Sequence, residues 1–225
     1  MSQPDTKQRI LDAAEHLFAR NGYHATSLRG ITTTADANLA AVNYHFGSKE
    51  ALLEAVIVRR LDPLNEIRNS QLEALLQKAE LAGELPSCRE VLRAFVEPTL
   101  RLRQQGSEAE DFIALIGRTL AEPRGIAMSI FLRHMQPLLQ AMSIFLRHMQ
   151  PLLQRIFQAL ALSLPALTEQ DLFWRMHFTM GCLSHIMRCH ERYSMVPDNV
   201  NIDLPVDELI EHFLDFTTAG MEVAR

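Results

Sequence analysis

The chain has few cysteines, no long uninterrupted apolar run and none of the familiar catalytic signatures. Three cysteines in 225 residues, Cys88, Cys182 and Cys189, form no disulfide framework, which fits a reducing compartment such as the cytoplasm. No stretch of about 18 apolar residues free of charge occurs, so no membrane-spanning helix is expected. The N-terminal MSQPDTKQRI lacks the apolar core of a signal peptide. Beyond residue 60 apolar and polar residues never alternate for more than a few positions, which argues against strands. The glycine-rich phosphate loops, the nucleophile elbow and the paired-histidine zinc helix are all missing. Asp62, Glu66 and the acidic run at 108–111 read as solvated faces. Nothing sets a nucleophile against a base, so neither an enzyme nor a cofactor is expected.

What is present is ample core and helical periodicity. Hydrophobic residues make up 48 % of the chain, enough for one or two modest domains. The net charge of −5 is unevenly spread. Residues 1–60 hold seven Lys and Arg against six Asp and Glu, a net +1, and residues 61–225 carry the acidic excess. A polyanionic partner would therefore be held by a few local contacts rather than by overall charge.

Those contacts are expected between Thr26 and Lys49. Thr26 can cap a short helix, in which Leu28, Ile31 and Ala35 recur at helical spacing. Asp36 stands at the turn, where its short polar side chain tolerates a left-handed backbone better than most residues do. Asn38 caps a second helix over Leu39–Phe46. Val42 and Phe46 face inward, and Ala40, Asn43 and Tyr44 face outward. Gly47 ends that helix and Ser48 caps the next, which puts Lys49 in a first turn suited to a phosphate. Before this unit lies another helix, capped by Asp5 or Thr6, ended by Gly22 and striped with Ile10, Ala13, Ala14, Leu17 and Phe18. Two short helices joined by a tight turn make a helix-turn-helix, which lays one helix in the DNA major groove. An asparagine there can pair with both acceptor and donor of an adenine edge, and small residues permit close approach.

Residues 7–60 resemble the DNA-binding domain of the TetR/AcrR family of bacterial transcription regulators. The resemblance is carried by RILDAAEHLFARNGYHATSLRGI, by NYHFGSKEALL and by the spacing between them. The aromatic-His-Phe-x-Ser-Lys run at 44–49 is specific to that family. Two departures stand out. Asp36 replaces the usual glycine, and Gly30 lies in the second helix at a cost of about 1 kcal/mol relative to Ala. The wording NLAAVNYHFGSK is similar to members that sense fatty acids or their thioesters. The resemblance implies an all-α protein: a three-helix DNA-binding domain at 1–60 and a helical ligand-binding and dimerisation domain at 61–225. It implies a homodimeric repressor on a palindromic operator, released by a small apolar effector. Arg29, Leu39, Ala40 and Asn43 are expected at base edges. Ser27, Asn38, Tyr44, His45 and Lys49 are expected nearby, mainly on phosphates, although Tyr44 and His45 would equally pack between helices.

Beyond residue 60 helices are expected throughout, with breaks near Pro63, at 81–86, 105–107, 122–125, 163–168 and 196–205. One oddity interrupts them: AMSIFLRHMQPLLQ occupies 127–140 and recurs unchanged at 141–154. An ancient functional repeat would have drifted, so the identity points to a recent insertion or an artefact of the sequence. Pro137 and Pro151 should each kink or break a helix.

The segment 171–193 shows two apolar faces. Phe173, Met176, His177, Met180, Leu183 and Met187 form one; Trp174, Phe178, Cys182, Ile186 and Cys189 form the other. A helix apolar on both sides is buried on both. Met176, His177 and Met180, with Phe112 and Ile116, are therefore expected at an effector pocket. Trp174, Phe178 and Cys182, with Leu209, Phe213 and Phe216 of a last helix over 206–220, are expected at a dimer interface. Cys182, His185 and Cys189 stand at i, i+3, i+7 and raise the alternative of a metal-dependent enzyme. The simpler reading makes both cysteines small hydrophobes. A DNA-binding protein without an effector is the other alternative.

Overall fold

The computed structural model describes residues 5–102, 147–188 and 204–223, with 104, 106, 109, 111–113 and 115 between them. All regular structure among these residues is helical, as expected. The helices are α1 Thr6–Ala25, α2 Leu28–Thr34, α3 Leu39–Phe46, α4 Lys49–Ala82 and α5 Cys88–Leu102. They continue as α6 (147–163), α7 Glu169–Arg188 and α8 Val206–Glu222. No described helix is long and apolar enough to cross a membrane. The described residues gather into two compact units, one from Met1–Pro63 and Gln105–His148, the other from Leu64–Gln104 and Met149–Arg225.

The first unit is built on α1–α3 and the start of α4. Ile10, Ala14 and Phe18 of α1, Ile31 of α2, Val42 of α3 and Leu52, Leu53 and Val56 of α4 are completely buried. Beside this apolar core sits a buried acid, Glu15. Its carboxylate accepts from Arg59 and, at 3.1 Å, from Arg60 Nε, while Arg59 Nη1 reaches Asp12 Oδ1 at 2.6 Å. Two guanidiniums on α4 thus lock one face of α1, and the buried charge is compensated where it lies. His16 Nδ1 stands 2.7 Å from Asp111 Oδ2, and Arg147 and His148 approach Glu54 at 3.4 and 3.3 Å.

Helix boundaries follow local chemistry with some corrections. Gly22, at φ +78°, breaks the helical path of α1 as expected. Asp5 holds the N-cap position but makes no capping bond. The break expected near Pro63 does not occur, since α4 runs through it for 34 residues. Proline removes one intrahelical bond, but Leu61 and Leu64 are buried on either side and hold the helix together. Gly83, at φ +67°, follows the end of α4. The breaks at 163–168 and before Val206 are present. Gly220 does not stop α8, which continues to Glu222. Arg175 of α7 donates to the Met221 carbonyl at 2.6 Å and satisfies one of its last acceptors.

In the second unit α5 is nearly enclosed, and it packs along α8. The seam is edged by exposed ion pairs: Arg89 to Glu211 and Asp215, each at 2.7 Å, Arg93 to Glu211 at 2.8 Å, and Arg101 to Asp207 at 2.8 Å. Arg93 and Arg89 together hold the Glu211 carboxyl down to about 2. Cys88 lies in the apolar layer, where burial, and then Glu222, push its thiol up to about 12. It is a packing residue and not a nucleophile.

Candidate nucleic-acid interface

Capping side chains and one residue of positive φ set the bounds of α2 and α3. Ser27, not Thr26, caps α2: its Oγ accepts from Gly30 N at 3.0 Å. Thr26 is buried and shares its hydroxyl hydrogen between the carbonyls of Gly22 (2.8 Å) and Leu17 (3.0 Å). The break at Gly22 leaves those carbonyls needing donors, which turns Thr26 inward and passes the cap to its neighbour. Gly30 then has a purpose. It occupies the third position of α2, where a Cβ would stand 3.3 Å from Ser27 Oγ and crowd the cap.

Asp36 adopts φ +47°, the left-handed turn conformation expected of it. Its carbonyl and carboxylate accept from Arg9 Nη1 of α1 at 3.1 and 3.4 Å, which ties the turn to α1. Asn38 Oδ1 accepts from Ala41 N at 2.8 Å and caps α3. Gly47, at φ +77°, closes α3 with its N–H on the Asn43 carbonyl at 3.0 Å. Ser48 Oγ accepts from Ala51 N at 3.0 Å and starts α4.

Caps at both ends leave α3 eight residues long, with one side in the core and one side bare. Val42 is buried and Phe46 half-buried. Leu39, Ala40 and Asn43 are exposed, and Tyr44 is 85 % exposed. His45 is half-buried with its ring edge-on to Tyr44. Ser27, Arg29 and Asn38 lie beside them, Ser27 and Arg29 exposed. The capping oxygens of Ser27 and Asn38 are occupied, but a hydroxyl hydrogen and an amide NH2 remain for donation. Lys49 holds its ammonium 4.2 Å from the centre of the Tyr23 ring, and partial burial there lowers its pKa.

An open cleft of about 500 Å³ lies against the outer side of α3. It is lined by Thr6 and Arg9 of α1, by Asp36, Ala37 and Asn38 of the turn, and by Ala40, Ala41, Tyr44 and His45 of α3. Thr6 and Arg9 were missed in the sequence because α1 reads there only as a supporting stripe. Arg9 Nε is buried and finds no hydrogen-bond partner among the described residues.

The residues expected at a pocket and an interface are sorted differently from the sequence reading. Phe112 is buried in the first unit, Met176 is buried and Met180 half-buried in the second, and Ile116 lies outside the described residues. His177 and Phe173, expected on the inner face of α7 with Met176, are exposed. Their rings stack 6.0 Å apart, and Trp174 lies edge-on to both. The buried face of α7 is instead Leu172, Met176, Thr179, Leu183 and Met187. Trp174 and Phe178 are exposed and Cys182 half-buried. On α8, Leu209 is half-buried and Phe216 is 69 % exposed. Phe213 is a correction: at 4 % exposed it is used inside its own protomer, on the same side as Ile210, Leu214 and Thr217, and has no surface left for a partner. His185 is exposed, and Cys189 lies outside the described residues, as do Pro137 and the first repeat copy.

A short, doubly capped helix with a bare outer face, set on a small helical core, defines a helix-turn-helix DNA-binding protein. Comparison with known proteins agrees at both ends of the chain. Residues 10–56 match the family described as bacterial regulatory proteins, tetR family, and residues 140–220 match the tetracyclin repressor-like, C-terminal domain. The chain belongs to the TetR family of transcriptional regulators. It is 40 % identical over 58 residues to the HTH-type transcriptional regulator UidR of Escherichia coli K12, across 26 % of this chain and 29 % of UidR. It is 38 % identical over 64 residues to the HTH-type nicotine-responsive transcriptional repressor HdnoR of Paenarthrobacter nicotinovorans, across 28 % and 33 %. The chain thus aligns with about a third of the length of these curated relatives. Its fold is similar to that of the fatty acid degradation regulator FadR of Bacillus halodurans, with a TM-score of 0.62 at 14 % identity over 98 % of each chain. It is also similar to the TetR family regulator PfmR of Thermus thermophilus, with a TM-score of 0.58 at 18 % identity over 99 % and 100 %.

Proposed function

We propose that this regulator is a cytoplasmic homodimeric repressor that binds a palindromic operator and leaves it when a small effector enters the second unit. The observation that carries the reading is the outer face of α3, where Ala40 and Asn43 stand bare on a helix fixed at both ends. Asn43, Arg29, Leu39 and Ala40 meet base edges. Ser27, Asn38, Tyr44, His45 and Lys49 hold phosphates, and Thr6 and Arg9, which line the same cleft, join them. Arg9 suits this role because its guanidinium is already oriented by Asp36, so little freedom is lost on binding.

Dimerisation falls to Trp174, Phe178, Cys182, Leu209 and Phe216, an aromatic surface too apolar to be left in water at no cost. Two heads then read two half-sites, and an effector that favours one spacing of the heads shifts operator affinity through its differential binding.

Selection from random duplexes followed by anisotropy titrations tests this. A palindromic site is expected. Asn43→Ala should lose about 1–3 kcal/mol and relax preference at one position per half-site. Unchanged preference would remove Asn43 from base reading.

A further inference from the structure

The second unit holds a buried cation surrounded by neutral partners. Arg68 of α4 is 4 % exposed. Its Nε donates to the Phe95 carbonyl at 3.1 Å, its Nη1 to Asn65 Oδ1 at 2.7 Å, and its Nη2 to Thr99 Oγ1. Nη1 also lies 3.7 Å from Met149 Sδ, and the guanidinium carbon is 5.3 Å from the centre of the Phe95 ring. Every one of these partners is uncharged. Among the described residues no carboxylate pairs with Arg68.

Other arginines of the chain are treated differently. Arg59 and Arg60, less buried, share Glu15, and Arg59 also meets Asp12. Arg89, Arg93 and Arg101, at the surface, meet Glu211, Asp215, Glu97 and Asp207. These five arginines, all more exposed than Arg68, meet carboxylates, whereas the deeply buried Arg68 is held by neutral groups. Burial lowers its pKa only to about 10, so it stays charged near neutral pH. Such a charge is costly to enclose unless something of opposite sign joins it.

We propose that Arg68 is the anchor for an anionic effector, an organic carboxylate that displaces the Met149 thioether and takes its place on the guanidinium. The proposal rests on the effector-responsive reading given above. A carboxylate matches the planar fork of arginine with two parallel hydrogen bonds, whereas a thioether is the weakest acceptor present. Met149 is the partner best able to yield, being unbranched and easily repacked. The body of the ligand is apolar, because Phe95, Leu64, Leu72 and Leu92 of the same two helices are buried in this unit.

The test uses the full chain and three carboxylates of different skeleton, decanoate, 3-phenylpropanoate and indole-3-acetate, each paired with its primary amide. Calorimetry gives the dissociation constants, and anisotropy on the selected operator gives the DNA response. At least one acid should bind tenfold or more tighter than its amide. Arg68→Gln, which keeps planar donors but loses the charge, should erase that discrimination and leave amide binding within threefold. Arg68→Lys should keep part of it. Arg68→Met serves where the Gln variant does not fold, judged by circular dichroism. Equal binding of acid and amide, binding of none of the acids, or discrimination that survives in Arg68→Gln would overturn the proposal. The two readings separate cleanly. Acids that bind through Arg68 without moving the DNA curve sink effector response and leave the anion site standing. Amides that release DNA as well as acids do the reverse.

Discussion

Two exposed surfaces of this molecule are made of opposite materials. The bare face of α3 presents Ala40, Asn43 and Tyr44, flanked by Ser27 and Asn38. The bare faces of α7 and α8 present Phe173, Trp174, Phe178 and Phe216. Both are unburied in the protomer, yet they suit different partners. Small and hydrogen-bonding groups fit a wet, charged groove. Clustered aromatics fit a dry interface in which area counts most. Exposure alone does not identify a function; the chemistry of what is exposed does.

The comparison is sharpest at two phenylalanines three residues apart. Phe213 is inside and Phe216 outside. Phe213→Ala should therefore cost about 3–5 kcal/mol of protomer stability in urea. A shift below about 1 kcal/mol would mean that the ring is not part of the core. Phe178→Glu with Phe216→Glu should leave the helical content intact but abolish dimers in sedimentation velocity, each change removing about 2–4 kcal/mol of association. A normal dimer would put the interface elsewhere.

On the other surface the effects are smaller. Lys49→Ala should weaken all duplexes alike and reduce the salt slope by roughly 0.9, the value of a single phosphate. It should also cost about 0.5–1 kcal/mol of stability through the vacated Tyr23 ring. Sequence-dependent weakening would instead make Lys49 a base reader. Smallest of all is removal of 141–154, which joins Gln140 to Arg155. Residues 133–140 have the same letters as 147–154, so α6 receives the same sequence, and the melting temperature should be equal or higher. An unfolded or effector-blind deletion would give the second copy a role of its own.

Much of the first 60 residues was legible because their structure is set by near neighbours. Asn38, Gly47 and Ser48 act within three or four residues of themselves, and Asp36 needs only its own tolerance of positive φ. The cap at Thr26 was displaced by one position because burial beside Gly22, a tertiary matter, decided between two hydroxyls. Pro63 and Gly220 were overruled in the same way, by Leu61 and Leu64 and by Arg175. Periodicity found two apolar faces on α7 but not which one the protomer would use. Leu172 and Thr179, which belong to neither apolar stripe, help to define the buried side. Arg68 left no trace at all, since an arginine in a polar stretch of helix looks like a solvated one.

The repeat has a consequence at the level of the gene. Met149 and Leu152, both buried in α6, belong to the second copy, and Met135 and Leu138 stand at the same places in the first. Adjacent identical blocks invite misalignment when DNA is copied, and the loss of one block keeps the reading frame because each is a whole number of codons. Whichever block is lost, RHMQPLLQRIF still leads into the rest of α6. The longer protein therefore stands one copying error from a 14-residue-shorter form in which the same sequence leads into α6.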